Sequence, residues 1–307
     1  MTNDQRLRPP AGTPSVLAGA AVGQACDLPL DSHLHTDLSP DSDVPIDAYA
    51  AQAVERGIRE LAITDHVDFD PRDPAYGYTT FAQRERVVRE AAERWAEHGV
   101  TIRFGVELTY NRRWEQDVRD HLTRHRYDFT IGSVHDWPGS AYRHPRRLAA
   151  WVADRSMAEI VEPYLVEVLA AARSGLFDAI GHLDVVKRYI GAHVTAAELG
   201  RAPELYEPIL RALIDTATGL EINTSGLRQA VGETYPSAAI VNRFRELGGQ
   251  HVTAGSDAHR ADSFAFGLEE GYRLAGESGF EALAFRRGGE RAAVALPERV
   301  RGRPRHD

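Results

Sequence analysis

Residues 31–42 read DSHLHTDLSPDS: an apolar lead-in interrupted by two histidines one residue apart, then a polar turn. In an extended segment successive side chains alternate between faces, so His33 and His35 point the same way and can chelate one cation. Alone, HLH fits a pair of core-edge imidazoles equally well. Its recurrence decides the matter. ELAITDH, TIRFGVELTY, DFTIGSVHD, LFDAIGHLD, GLEINTSG and HVTAGSDAH each begin with a short apolar run and break into polar residues.

Stretches of helical period lie between these runs. IDAYAAQAVERG has Asp47 as its expected N-cap, and FAQRERVVREAAERWAEHG is closed by Gly99. A single long helix is expected over 148–175, with a kink at Pro163 and an end at Gly175; another follows Ser237 and ends at Gly248. Strand, polar turn and helix, repeated about seven times, predict an α/β fold of βα units around a parallel barrel.

Reactive groups in such barrels come from the C-terminal ends of the strands. His33, His35, His66, His135, His182 and His259 all fall there, as do Asp65, Glu107, Asp184 and Asp257. Glu107 sits inside an otherwise apolar strand, an unusual place for a carboxylate unless it is paired. Asp65 and His66 close another apolar strand, where burial without partners would cost several kcal/mol. Gly132 and Ser133, just before His135, are small enough to let a ligand approach the backbone. In GSDAH, Asp257 and His259 repeat the spacing of HLH with one carboxylate.

Composition narrows the chemistry. The chain has 307 residues, 43% hydrophobic, and a formal net charge of −9, which argues against coating nucleic acid or an anionic membrane. A small phosphorylated substrate stays open, because local cations decide that. Cys26 is the single cysteine, so no internal disulfide forms and metal ligands must be nitrogen and oxygen. No apolar run approaches the roughly 20 residues that span a bilayer, and a cytoplasmic location is expected. We read residues 1–27 as a flexible extension, 28–300 as one catalytic domain and 301–307 as a solvated tail. The sequence carries no signal for oligomeric state.

The ordered series HLH with Asp41, TDH, GVE, SVH, GHLD and SDAH resembles the polymerase-and-histidinol-phosphatase (PHP) superfamily of metal-dependent phosphoesterases. HLHTDLSPDS, ITDH, IGSVHDW, FDAIGHLDVVKRY, LEINTSGLR, ETYPS and GSDAH look like its histidinol-phosphate phosphatase branch. The resemblance runs from about residue 28 to 297. It implies a distorted (β/α)7 TIM-like barrel with three divalent ions, Zn, Mn or Fe, at the C-terminal rim. His33, His35, Glu107 and Asp257 would hold the first ion, Glu107 with His135 and His182 the second, and Asp41, His66 and His259 the third. Thr109 departs from the pattern, standing where many relatives carry an acidic residue.

The activity so implied is hydrolysis of L-histidinol phosphate to L-histidinol and phosphate by a hydroxide shared between ions. Arg188 and Arg228 are the expected phosphate clamp, since a guanidinium binds phosphate as a fork; Lys187 is expected to face solvent. Asp65 or Asp184 would orient a ligand histidine or protonate the leaving oxygen, and Tyr110 and Trp137 would wall the substrate pocket. The alternatives are a PHP phosphoesterase for another small ester, such as a nucleotide or sugar phosphate, an amidohydrolase-type C–N hydrolase, and a metal-storing module. The second is disfavoured because no strand end carries a lysine in place of Glu107, and the third because all nine ligand positions are intact.

Overall fold

The computed structural model describes residues 27–301, apart from 138, 143, 154, 192, 288 and 289. Residues 1–26 of the expected extension and 302–307 of the expected tail lie outside the described residues.

The strands are β1 (Leu30–Leu34), β2 (Glu60–Ile63), β3 (His66–Val67), β4 (Thr101–Thr109), β5 (Phe129–Ser133), β6 (Ala179–Ile180), β7 (Gly219–Asn223), β8 (Val252–Gly255), β9 (Ala282–Arg287) and β10 (Glu290–Ala295). The helices are α1 (Ile46–Arg56), α2 (Phe81–Ala96), α3 (Glu115–Arg124), α4 (Pro145–Val152), α5 (Met157–Ser174), α6 (Val186–Ile190), α7 (Ala196–Gly200), α8 (Pro203–Asp215), α9 (Ala238–Glu246) and α10 (Leu268–Glu277). β1, β2, β4, β5, β6, β7 and β8 follow one another around the sheet, and every pairing is parallel. β3 pairs beside β2 on β4, and β9 and β10 form a separate antiparallel hairpin. This is the α/β barrel of seven strands, nearly closed. The strands are buried on both faces, which is why they read as apolar runs rather than alternations.

The seam between β1 and β8 is closed partly by side chains. Near the base, the Tyr272 hydroxyl of α10 donates to Leu30 O (2.7 Å) and accepts from Leu30 N (3.1 Å). Ser32 Oγ then donates to Ala254 O (2.9 Å), and the Asp31 carboxylate accepts from Ser256 N (2.9 Å) and Ser256 Oγ (2.6 Å). Only at the rim do the backbones meet, through Asp257 N to His33 O (2.8 Å) and His35 N to Ala258 O (3.0 Å). Gly255 permits this approach: a Cβ there would stand 2.3 Å from the Cβ of His33.

Several local expectations are corrected. The segment 148–175 is two helices, because Ser156 and Glu159 form a capping box that starts α5 afresh. Pro163 lies in the first two turns of α5, and Gly175 ends it in the left-handed conformation as expected. Asp47 is not a cap: it sits in the first turn of α1, where it accepts from Trp95 Nε1 (2.6 Å) and Arg94 (2.9 Å) of α2. Gly132 admits no ligand, since the ring of Phe177 occupies the space where its side chain would be.

The seam gives a direct test. Gly255→Ala should destabilise the protein by about 1–3 kcal/mol, the usual penalty for overpacking, measured by denaturant unfolding. It should also weaken divalent-metal uptake, because the displaced atom belongs to His33; unchanged stability would mean that the seam relaxes freely.

Candidate metal centre

Glu107 stands at the centre of the rim. It lies in β4, in register with His66 on one side and Ile131 on the other, and is 1% exposed. Its Oε2 is 3.2 Å from His33 Nε2, His35 Nε2 and His66 Nδ1. Its Oε1 is 2.9 Å from His182 Nε2 and 3.4 Å from His135 Nε2. Burial alone would raise the carboxyl pKa, yet the surrounding imidazoles, His66 and His33 foremost, hold it well below the ordinary carboxylate range.

The other carboxylates extend the basin. Asp257 Oδ1 is 3.3 Å from His259 Nδ1, 3.4 Å from His35 Nε2 and 3.8 Å from His33 Nε2. Asp41 Oδ2 is 3.2 Å from both His66 Nε2 and His259 Nε2. Burial works against its charge, but those two rings outweigh it and keep its pKa low. Burial also disfavours charge on His33, but Glu221, Asp257 and Glu107 prevail and hold its pKa well above the ordinary imidazole value.

Nine side chains from across the sequence thus meet. Candidate ligand atoms of eight fall into three groups, each within 4.8 Å: His33, His35 and Glu107; Glu107, His135 and His182; and His35, Asp41, His66 and His259. Asp257, the ninth, borders the first and third through His33, His35 and His259. Two of these nine residues, His182 (φ 25°) and Asp257 (φ 52°), sit on positive φ angles that L-residues rarely adopt.

The residues fit bound cations. Five ring nitrogens crowd one carboxylate, which offers about four lone-pair sites. His33 Nδ1 lies 2.6 Å from Glu221 Oε1, a partner that would keep the ring proton on Nδ1 and leave Nε2 to coordinate once a cation displaces its proton. His33 Nε2 and His35 Nε2 are only 2.9 Å apart, a distance suited to two nitrogens around a common cation. The carboxylate–histidine relay is the arrangement that orients metal-bound imidazoles.

Glu221 escaped the reading of the sequence. It is fully buried in β7, and its Oε2 also accepts from His182 N (2.8 Å) and Asn223 Nδ2 (3.1 Å). One carboxylate therefore fixes two histidines of the cluster. The signal was present, since GLEIN places a glutamate in an apolar strand just as GVELTY does.

The remaining predicted residues divide. Arg188 lines a cleft of about 480 Å³ together with Asp41, Glu107, His135, Asp257 and His259. Trp137 and Tyr110 line an adjoining cleft of about 660 Å³. The Tyr110 hydroxyl is turned to Glu115 (2.5 Å) and the residue is buried, so packing is its main role. Asp65 does not face the basin: its oxygens accept from Thr36 N (2.6 Å) and Thr36 Oγ1 (2.9 Å). Asp184 is likewise turned away, accepting from Lys187 Nζ (2.9 Å) and Ser237 N (3.3 Å). Lys187 is not at the surface but 1% exposed, held by Asp184, Glu233 and Thr234 O. Arg228 is no open phosphate clamp, because it donates to Ser256 O (2.7 Å) and Asp257 O (2.6 Å). Thr109 lines both clefts, the second together with Asp68.

A nearly closed parallel barrel with imidazoles and carboxylates gathered at its C-terminal rim defines a metal-binding α/β barrel. Residues 31–225 match the PHP domain, and the chain belongs to that family. A probable histidinol-phosphatase of Deinococcus radiodurans is 30% identical over 258 residues, covering 83% of this chain and 96% of that protein. The histidinol-phosphatase of Lactococcus lactis is 26% identical over 269 residues, covering 83% and 93%. The crystal structure of the L. lactis histidinol phosphate phosphatase, complexed with Zn, L-histidinol and phosphate, superimposes with a TM-score of 0.73 at 24% identity, over 86% of this chain and 98% of that one.

Glu221→Gln tests the relay. Losing the charge beside His33 should lower divalent-metal affinity about 10- to 100-fold, read by chelator competition, with the fold retained by circular dichroism. Wild-type affinity would show that His33 needs no such partner.

Proposed function

We propose that this protein is a metal-dependent histidinol-phosphatase that hydrolyses L-histidinol phosphate to L-histidinol and phosphate. One observation carries the reading: three overlapping ligand groups gather around Glu107 at the floor of a cleft whose wall bears Arg188. The curated relatives of that name, matched over most of the chain, support it.

Three divalent ions complete the site in this reading. His33, His35, Glu107 and Asp257 would hold one, Glu107, His135 and His182 a second, and Asp41, His66 and His259 a third. Bound there, such ions supply Lewis acidity toward phosphoryl oxygens and raise the acidity of water. The chain's own residues do the rest. Glu107 and Asp257 supply the buried negative charge that keeps cations in place. Arg188 is exposed at the cleft wall beside Tyr189, its guanidinium carbon 5.9 Å from that ring's centroid. From there it offers a fork to the non-bridging oxygens of a phosphate.

The volume suits a small ester rather than a polymer. Asp68, Asp70, Asp73 and Asp136 line the adjoining cleft, with Arg72 and Arg113 also present. That acidic balance complements a leaving group bearing an ammonium, as L-histidinol does. Among the described residues no helix is long and apolar enough to cross a membrane, and the reading places the enzyme in the cytoplasm.

Phosphate release from L-histidinol phosphate and a panel of sugar and nucleotide phosphates tests the reading. The expected result is a clear preference for L-histidinol phosphate, abolished by chelation and restored by Zn or Mn. Preference for another ester would instead assign a different PHP phosphoesterase, and no hydrolysis by the metal-loaded protein would leave a metal-binding module. Separately, Arg188→Ala should lower kcat/KM roughly 10- to 100-fold, as expected for a lost hydrogen bond between charged groups, mainly through KM and without changing the ion count.

A further inference from the structure

Two inward-turned arginines, Arg84 buried and Arg228 half-buried, share a geometry that the catalytic reading does not use. Arg84, on α2, is 3% exposed and reaches inward to the turn between β2 and β3. One terminal nitrogen donates to Asp65 O (3.2 Å) and the other to His66 O. Its Nε has no partner, so the guanidinium is committed to those two carbonyls. Arg228, in the short turn after β7, does the same at the end of β8, donating to the consecutive carbonyls Ser256 O and Asp257 O. In each pair the second residue, His66 or Asp257, belongs to the metal centre, and the first immediately precedes it.

We propose that Arg84 and Arg228 are positioning residues, guanidinium clamps that fix the backbone under two metal ligands. The inference rests on the metal-centre reading above. A guanidinium spans two neighbouring carbonyls as a rigid planar fork, whereas an ammonium can satisfy both only by moving. The need is plain at Asp257. Its φ of 52° is one that an L-residue keeps only where the surroundings over-determine it. Three contacts do so: Arg228 on its carbonyl, His33 O on its N–H (2.8 Å), and Asn223 Nδ2 on its Oδ2 (3.2 Å). At His66 the clamp acts on a residue whose N–H is already held by Ser39 Oγ (2.8 Å). The ring is thereby left to bridge Glu107 and Asp41. Both guanidiniums spend their donors on main-chain oxygens inside the fold, so a surface charge role does not account for them.

The clamps serve different ligands, which gives the test its resolution. Purified Arg84→Lys and Arg228→Lys are stripped of metal and titrated with Zn or Mn against a chelator, with ions counted per chain. Each variant should lose affinity about 10- to 100-fold for one class of ion only. For Arg84→Lys that is the ion held by Asp41, His66 and His259; for Arg228→Lys, the ion held with Asp257. Pairing each with His259→Ala or Asp257→Asn identifies the class, because two changes at one ion should be non-additive. Thermal melts of the metal-free variants close to wild type separate this from general unfolding; an unfolded Lys variant is replaced by Met at the same position. If both variants bind metal like wild type, the clamp proposal is overturned while the metal centre stands. Weaker inhibition of Arg228→Lys by inorganic phosphate, at unchanged metal affinity, would place that side chain on the substrate instead. A wild-type protein that binds no divalent ion would overturn the metal reading itself.

Discussion

One buried carboxylate organises this molecule. Glu107 lies deep in the longest strand of the barrel, where an isolated charge would be strongly disfavoured, and it survives there because five imidazole nitrogens crowd within 3.4 Å of it. Those imidazoles belong to β1, β3 and the segments after β1, β5 and β6, so the whole front half of the barrel is arranged around a single side chain. The same crowding leaves lone pairs that hydrogen bonding to one carboxylate cannot satisfy, and this turns a packing problem into a cation site.

A layer of fixed groups stands behind the ligands. Glu221 holds the ring of His33 and the backbone of His182. Asp65 holds Thr36, two arginines hold main-chain carbonyls, and Asp31, its pKa raised to about 6 because burial outweighs the hydrogen bonds from Ser256, ties β1 to the end of β8. Each of these groups points away from the cleft. Chemistry at the rim therefore draws on a scaffold of polar contacts that cannot be rearranged cheaply, since breaking one strands another in a low-dielectric interior.

The barrel was legible in the sequence because its strands are buried on both faces and end in polar residues, so each announces itself as an apolar run with an abrupt stop. The cluster at the rim was legible for the same reason: a histidine or glutamate closing an apolar run is drawn into the interior with it, and there it must find a partner. What could not be read was direction beyond the backbone. Asp65 and Asp184 occupy strand ends too, yet their carboxylates turn toward Thr36 and Lys187, partners that only the folded turns bring near. Lys187 reads as a surface lysine until Glu233 and Thr234, distant in sequence, close over it. Arg84 sits in a helix rich in charged residues, and nothing local distinguishes the one arginine that faces inward. Ser156 and Glu159, by contrast, carried a legible helix start that the continuing apolar period of 148–175 masked.

The seam between the first and last barrel strands has a consequence for biosynthesis. Residues 33 and 257 are 224 positions apart in the chain, and the backbone bond between them forms at the rim itself. A nascent chain still short of Asp257 and His259 lacks two donors and also the contact that holds His33 beside them. In the proposed reading, cation binding at that end of the rim thus waits until synthesis has passed His259, and a product terminated before Asp257 lacks both side chains.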